Sequence, residues 1–63
     1  MLPSEGDVID VTVVASKPFG LFVATDSGAT GLVRGARAAA GDVVRVRVLE
    51  SDDVESRFSA VLA

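Results

Sequence analysis

The sequence predicts an all-β fold, a small closed barrel of five strands. Val is the most frequent residue, and β-branched side chains favour strands over helices. Apolar and polar residues alternate along several short runs, which is the period of a strand with one buried face. Five such runs with turn signals between them fit into 63 residues. Their regular spacing indicates a barrel, because closure removes the exposed edges of a small sheet.

The alternation is clearest in the first and fourth runs, residues 8–14 and 43–49. In the fourth run three valines alternate with Arg45 and Arg47, so we expect both arginines to be exposed to solvent. The predicted core consists of the inward apolar positions of all five runs, Ile9, Val11, Val13, Leu21, Val23, Val33, Val44, Val46, Val48, Phe58 and Leu62.

The other three strands are predicted at residues 19–24, 31–34 and 57–62. Gly20 within a strand predicts either a bulge or a strong local twist at that position. Such a bulge would let Phe19 and Phe22 both face outward, although one of the rings could instead fill a core that is short of large residues. The alanine-rich segment before Gly41 predicts one helical turn.

Composition narrows the possible functions. The length predicts a single domain, residues 1–63. The chain has no Cys and no His, which excludes disulfides, thiolate or imidazole metal sites and Cys/His catalysis. Asp and Glu could still supply oxygen ligands for an ion, but no Asp-x-Asp spacing with a terminal Glu marks such a site. No nucleophile–base pair can be assembled either, so we expect no enzyme, no metal and no cofactor. No apolar run approaches the roughly 20 residues of a membrane span, and the start of the chain is not typical of a signal peptide. A cytoplasmic monomer is the expectation.

The order of these signals resembles the S1 family of RNA-binding domains over nearly the whole chain. The resemblance rests on the following segments in sequence order: Gly6-Asp7-Val8-Ile9, Phe19-Gly20-Leu21-Phe22-Val23, Gly31-Leu32-Val33, Gly41-Asp42-Val43-Val44-Arg45-Val46-Arg47-Val48-Leu49, Asp52 and Arg57-Phe58-Ser59. It implies a five-stranded OB-fold barrel with a shortened loop between strands 3 and 4. Arg34 stands where the family often has His.

The resemblance also implies where RNA would bind. In the family, bases stack on two aromatic side chains of the second strand, with help from the end of the third strand and from an Asp/Arg pair before the last strand. The corresponding residues are Phe19, Phe22, Arg34, Asp52 or Asp53, and Arg57, with Lys17 and Arg37 as auxiliary contacts. If RNA is bound, Phe19, Phe22, Arg34 and Arg57 are expected to form one patch.

The charge balance sets the expected strength of binding. Six basic and nine acidic residues give a net charge of −3, whereas nucleic-acid binders are usually basic. The sequence therefore predicts a single-stranded RNA-binding module for translation or RNA metabolism whose binding is weak and largely sequence-nonspecific. The alternative is an OB-type protein-interaction or ribosome-docking module with little nucleic-acid affinity.

Overall fold

All five predicted strands form, and they close into one barrel. The computed structural model describes residues 2–63; Met1, which belongs to the predicted 1–63 domain, lies outside them. The strands are β1 (Val8–Lys17), β2 (Gly20–Ala24), β3 (Thr30–Arg34), β4 (Val43–Asp52) and β5 (Arg57–Leu62). Their order around the barrel is β1-β2-β3-β5-β4, with β3 and β5 parallel and every other pair antiparallel. The predicted all-β OB-type barrel is confirmed.

The segment between β3 and β4 contains no helix. The helical turn predicted before Gly41 is therefore wrong, and residues 2–63 include no helix at all. Instead, Ala36 turns inward and is buried, while the backbone N–H of Ala39 donates to the carboxylate of Asp42 at 3.0 Å. This short connection therefore lets an alanine cover part of the core. No helix in the described part of the chain is long and apolar enough to cross a membrane.

The core is small and dominated by valine, as expected. Its buried residues are Val11, Val13, Leu21, Val23, Val33, Ala36, Val46, Val48, Phe58 and Ala60. Ile9 and Val44 are only partly buried and pack against this cluster. The prediction of Leu62 in the core is wrong, because its side chain is 50% exposed. It lies at the last position of β5, where no further strand residue covers it.

Phe58 has the largest side chain in the core, and Gly31 makes room for it. The two residues are Cα partners in the parallel β3–β5 pair, so their inner faces are adjacent. A Cβ atom on Gly31 would lie 2.5 Å from two carbon atoms of the Phe58 ring. The absence of a side chain at this position of β3 is therefore a requirement of core packing.

Two β-bulges change which side chains of β1 and β4 face outward. In β1, Val13 pairs with Val23 and Ala15 pairs with Phe22, so Val14 is the extra residue. Regular alternation would turn Ala15 inward with Val13, but the bulge places it beside Phe22 on the outer face. Of the two alternatives predicted for Gly20, the bulge does not form, since β2 pairs with β3 without a shift and the irregularity lies in β1.

The bulge in β4 has the same effect on that strand. Val48 pairs with Ala60 and Glu50 pairs with Ser59, which leaves Leu49 as the extra residue. By simple alternation, Glu50 would follow Val48 into the core. The bulge turns the Glu50 carboxylate outward, so closing the barrel buries no charge at this position.

Candidate nucleic-acid interface

A groove crosses the outer face of the barrel over β2, β3, β5 and β4. Phe22, Leu32, Ser59 and Glu50 form a row of successive Cα partners across the four strands. The groove has a volume of about 560 Å³ and is also lined by Thr30, Asp52 and Arg57, with Phe58 and Gly31 at its floor. We call it the main groove. Its size falls within the range of small-ligand pockets, roughly 300–1,000 Å³.

Both aromatic side chains that the sequence singled out are exposed. Phe19 is 58% exposed and Phe22 is 41% exposed, so neither ring fills the core. The ring centroids lie 5.9 Å apart with an interplanar angle of 68°, which is an edge-to-face contact. Phe19 precedes β2, and the rule that residues three apart face opposite sides of a strand does not apply to it. The two rings form a small aromatic platform beside the main groove.

Gly20 allows this platform to form. Its φ of 151° lies in a region that side-chain-bearing residues rarely adopt, and a Cβ atom there would collide with the backbone carbonyl oxygen of Val33. The chain can therefore turn sharply after Phe19 and still bring β2 close to β3. Gly20 is thus required for two reasons: its backbone conformation, and the close approach of its Cα to the backbone of Val33.

Lys17 lies next to the platform because of the β1 bulge. Its ammonium nitrogen is 5.8 Å from the centroid of the Phe22 ring, within the range of a cation–π contact. Without the extra residue Val14, the side chain of Lys17 would point into the barrel, as that of Val13 does. The bulge therefore places a positive charge beside an exposed aromatic ring.

Arg34 and Arg57 lie on the same outer face but at opposite ends of β3. Arg34 is the Cα partner of Gly20, and Arg57 is the Cα partner of Thr30. Four residues of strand separate Thr30 from Arg34, or about 13 Å at 3.3 Å per residue. Arg57 lines the main groove and Arg34 does not. The residues that were expected to form one RNA-binding patch are therefore spread along the length of the barrel.

The Asp/Arg pair implied by the family resemblance is only partly formed. Asp52 and Arg57 are Cα partners across β4 and β5, and both line the main groove. The carboxylate of Asp52, however, accepts hydrogen bonds from the backbone N–H groups of Val54 and Glu55 at 3.0 and 3.2 Å. Arg57 lies 3.8 Å from the carboxylate of Glu55 in an exposed ion pair. Asp52 therefore shapes the turn while Arg57 remains accessible; Asp53 is exposed in the same turn and does not line the main groove.

A second depression adjoins the platform at the end of the barrel. It is lined by Lys17, Phe19 and Arg37, together with small residues of the β1–β2 and β3–β4 connections, and we call it the loop groove. In residues 2–63 the only ion pairs are Arg45–Asp10 and Arg57–Glu55, so Lys17, Arg34 and Arg37 make none there. The outer face thus has a basic end near the loop groove and an acidic end near Glu50 and Asp52.

Arg45 and Arg47 lie on the exposed side of β4, as predicted. Arg45 donates from Nε to the carboxylate of Asp10 at 3.0 Å. This hydrogen bond and the charge of Asp10 raise the pKa of Arg45 above its usual value. Neither arginine lines the main groove or the loop groove.

Sequence reasoning missed Glu50 and Leu32 as groove residues. Leu32 lies between two buried residues of β3, Gly31 and Val33. Its outward position could therefore be predicted from the alternation of side chains once the strand was located. Glu50 had no such signal, because the bulge at Leu49 depends on the pairing with β5. No group of three or more acidic, His or Cys side chains within residues 2–63 is arranged to hold a metal ion.

The fold is shared with solved structures of several proteins. An uncharacterized protein from Methanocaldococcus jannaschii superposes with a TM-score of 0.88 at 17% sequence identity, covering 100% of this chain and 96% of that one. GSP13 from Bacillus subtilis gives a TM-score of 0.85 at 26% identity, covering 97% of this chain and 56% of that one. No protein-family model and no curated protein sequence matches the chain.

A third similar structure comes from a complex that contains RNA. It is the a/eIF2alpha–aDim2p–rRNA complex from Pyrococcus horikoshii OT3, with a TM-score of 0.81 and 18% identity over 98% of this chain and 45% of that one. This chain thus spans about half the length of that protein and of GSP13. The resemblance to S1-type OB-fold domains is confirmed at the level of the fold.

Proposed function

We propose that this protein is a single-stranded RNA-binding module that acts in translation or RNA metabolism in the cytoplasm. The observation that carries the proposal is the exposed pair Phe19 and Phe22, held edge to face beside the main groove. Exposed aromatic rings on a strand cost solvation free energy, and bases stack on such rings regardless of sequence. The similar fold found in an rRNA-containing complex supports the proposal.

Binding is expected to be weak. Stacking of two bases contributes roughly 2–6 kcal/mol, from about 1–3 kcal/mol per base. A net charge of −3 opposes a polyanion at long range, so the remaining attraction comes from a few local cations near the platform. We therefore expect dissociation constants in the micromolar range or weaker. The module is proposed to bind and position RNA, with no catalytic step.

The proposal is tested by chemical-shift titration of the ¹⁵N-labelled protein with single-stranded hexaribonucleotides. We expect shifts concentrated at residues around Phe19, Phe22 and the main groove. Phe22→Ala should weaken binding about 5- to 150-fold, which is the fold-change corresponding to the loss of one stacked base. The matched control is Val43→Ala, which shortens another exposed apolar strand residue outside both grooves.

The control variant is expected to keep the affinity of the unmodified chain. If millimolar RNA shifts no resonance near either phenylalanine, the RNA-binding proposal fails. The protein-interaction or ribosome-docking module that the sequence left open would then replace it. Equal losses in Phe22→Ala and Val43→Ala would also contradict the stacking argument, because Val43 lies away from the platform.

A further inference from the structure

One carboxylate of the main groove, that of Glu50, has no hydrogen-bond or ion-pair partner in the described part of the chain. Glu50 is exposed and lines the groove, and its carboxylate makes no hydrogen bond or ion pair with any residue from 2 to 63. Asp52, the other carboxylate of the groove, accepts hydrogen bonds from two backbone N–H groups of its own turn, both on Oδ1. Glu50 is therefore the carboxylate of this surface that has both oxygens free to accept a hydrogen bond.

The position of Glu50 results from the β4 bulge. Without the extra residue Leu49, the carboxylate would point into the barrel, as the side chain of Val48 does. With the bulge, Glu50 stands in the same outward row as Phe22, with Leu32 and Ser59 between them. Three strand spacings of about 4.8 Å, or about 14 Å in all, separate the Cα atoms at the ends of this row. The Phe22 and Glu50 side chains together with one base can span this distance across Leu32 and Ser59.

The distribution of charge on the outer face favours the same orientation of a bound nucleotide, with its base directed toward Glu50. Lys17, Arg34 and Arg37 lie without an ion pair at the end near the loop groove. At the other side of the main groove, Glu50 and Asp52 outnumber Arg57, which is paired with Glu55. A nucleotide has an anionic phosphate and a base edge that can carry N–H donors. The favourable orientation places the phosphate near the cations and directs the base edge toward Glu50.

We infer that Glu50 is a specificity-determining residue that makes the main groove prefer bases with an exocyclic amino group over uracil. This inference rests on the proposed RNA-binding function and adds a base preference to it. Cytosine and adenine offer amino N–H donors to a carboxylate, whereas uracil presents carbonyl oxygens on both sides of its single N–H. A carboxylate accepts hydrogen bonds only, so it repels those oxygens.

The test compares hexacytidylate with hexauridylate at pH 7 by fluorescence anisotropy of end-labelled oligonucleotides. We expect the unmodified protein to bind hexacytidylate about fivefold or more tightly, the lower end of discrimination by one good base contact. Glu50→Gln should bring this ratio close to one and improve binding of hexauridylate, because the amide can donate as well as accept. Glu50 is exposed, so this variant is expected to fold normally.

The charge control is Glu5→Gln, the same exchange at another position. Glu5 is exposed and lines neither groove, so its replacement changes the net charge equally. It should strengthen binding of both oligonucleotides by the same factor and leave their ratio unchanged. A ratio near one for the unmodified protein, or a ratio that Glu50→Gln leaves intact, overturns the inference and leaves RNA binding standing. Absence of binding to either oligonucleotide at millimolar concentration overturns both.

Discussion

Replacement of Gly31 by alanine tests how the core accommodates its aromatic side chain. The added methyl group would lie 2.5 Å from the Phe58 ring, which is 3% exposed and packed on the opposite side by other core residues. Overpacking of this kind costs roughly 1–3 kcal/mol. The total stability expected for 63 residues is only about 3–9 kcal/mol, from 0.05–0.15 kcal/mol per residue. The substitution should therefore remove a large part of the stability.

The expected loss corresponds to a thermal midpoint about 4–24 °C lower, at 4–8 °C per kcal/mol for a domain of this size. The chain has no Trp and no Tyr, so unfolding is best followed by far-ultraviolet circular dichroism instead of intrinsic fluorescence. Thermal and guanidinium unfolding of the same samples should give the same ranking of variants.

A double-mutant cycle with Phe58→Leu separates the steric cause from other effects. The smaller side chain leaves space beside residue 31, so Gly31→Ala should cost less than about 1 kcal/mol in that background. It could even stabilise the protein, because alanine restricts the unfolded chain more than glycine does. An equal cost of Gly31→Ala in both backgrounds, or no cost with Phe58 present, would refute the proposed collision.

Three further expectations follow from the same structure. Gly20→Ala should destabilise the protein more than Gly31→Ala, as measured by the denaturation midpoint, because its Cβ meets a backbone carbonyl that cannot rotate away; a smaller effect would contradict the close approach of β2 and β3. The logarithm of RNA affinity should fall with the logarithm of salt concentration with a slope of only about −1.4 to −2.1, for two or three phosphate contacts; a slope beyond −4 would indicate a larger basic surface. Arg47→Ala should leave both the denaturation midpoint and RNA affinity nearly unchanged, since the side chain is exposed and outside both grooves; a large drop in either would show that Arg47 makes a contact absent from the structure.

The strands were predictable because their signals are local. Alternation of three valines with Arg45 and Arg47 is sufficient to locate β4 and to assign its inner face. The turn before β5 was likewise indicated by its polar residues, of which Asp52 accepts two backbone hydrogen bonds. The exposure of Phe19 and Phe22 was one of two possibilities, and the sequence alone did not decide between them.

Tertiary structure decided which residues reach the outer face beyond each bulge. Regular alternation along β1 and β4 would turn the side chains of Lys17 and Glu50 into the core. Both side chains lie outside because each strand has one extra, unpaired residue, Val14 in β1 and Leu49 in β4. The position of a bulge depends on how a strand matches its partner when the barrel closes, and the partner is distant in sequence. The sequence by itself therefore determined the five strands of the barrel, whereas the exposure of the two aromatic rings of the platform was established only by the tertiary structure. The charges beside that platform were determined by barrel closure, because a one-residue shift in pairing reverses every side chain that follows it.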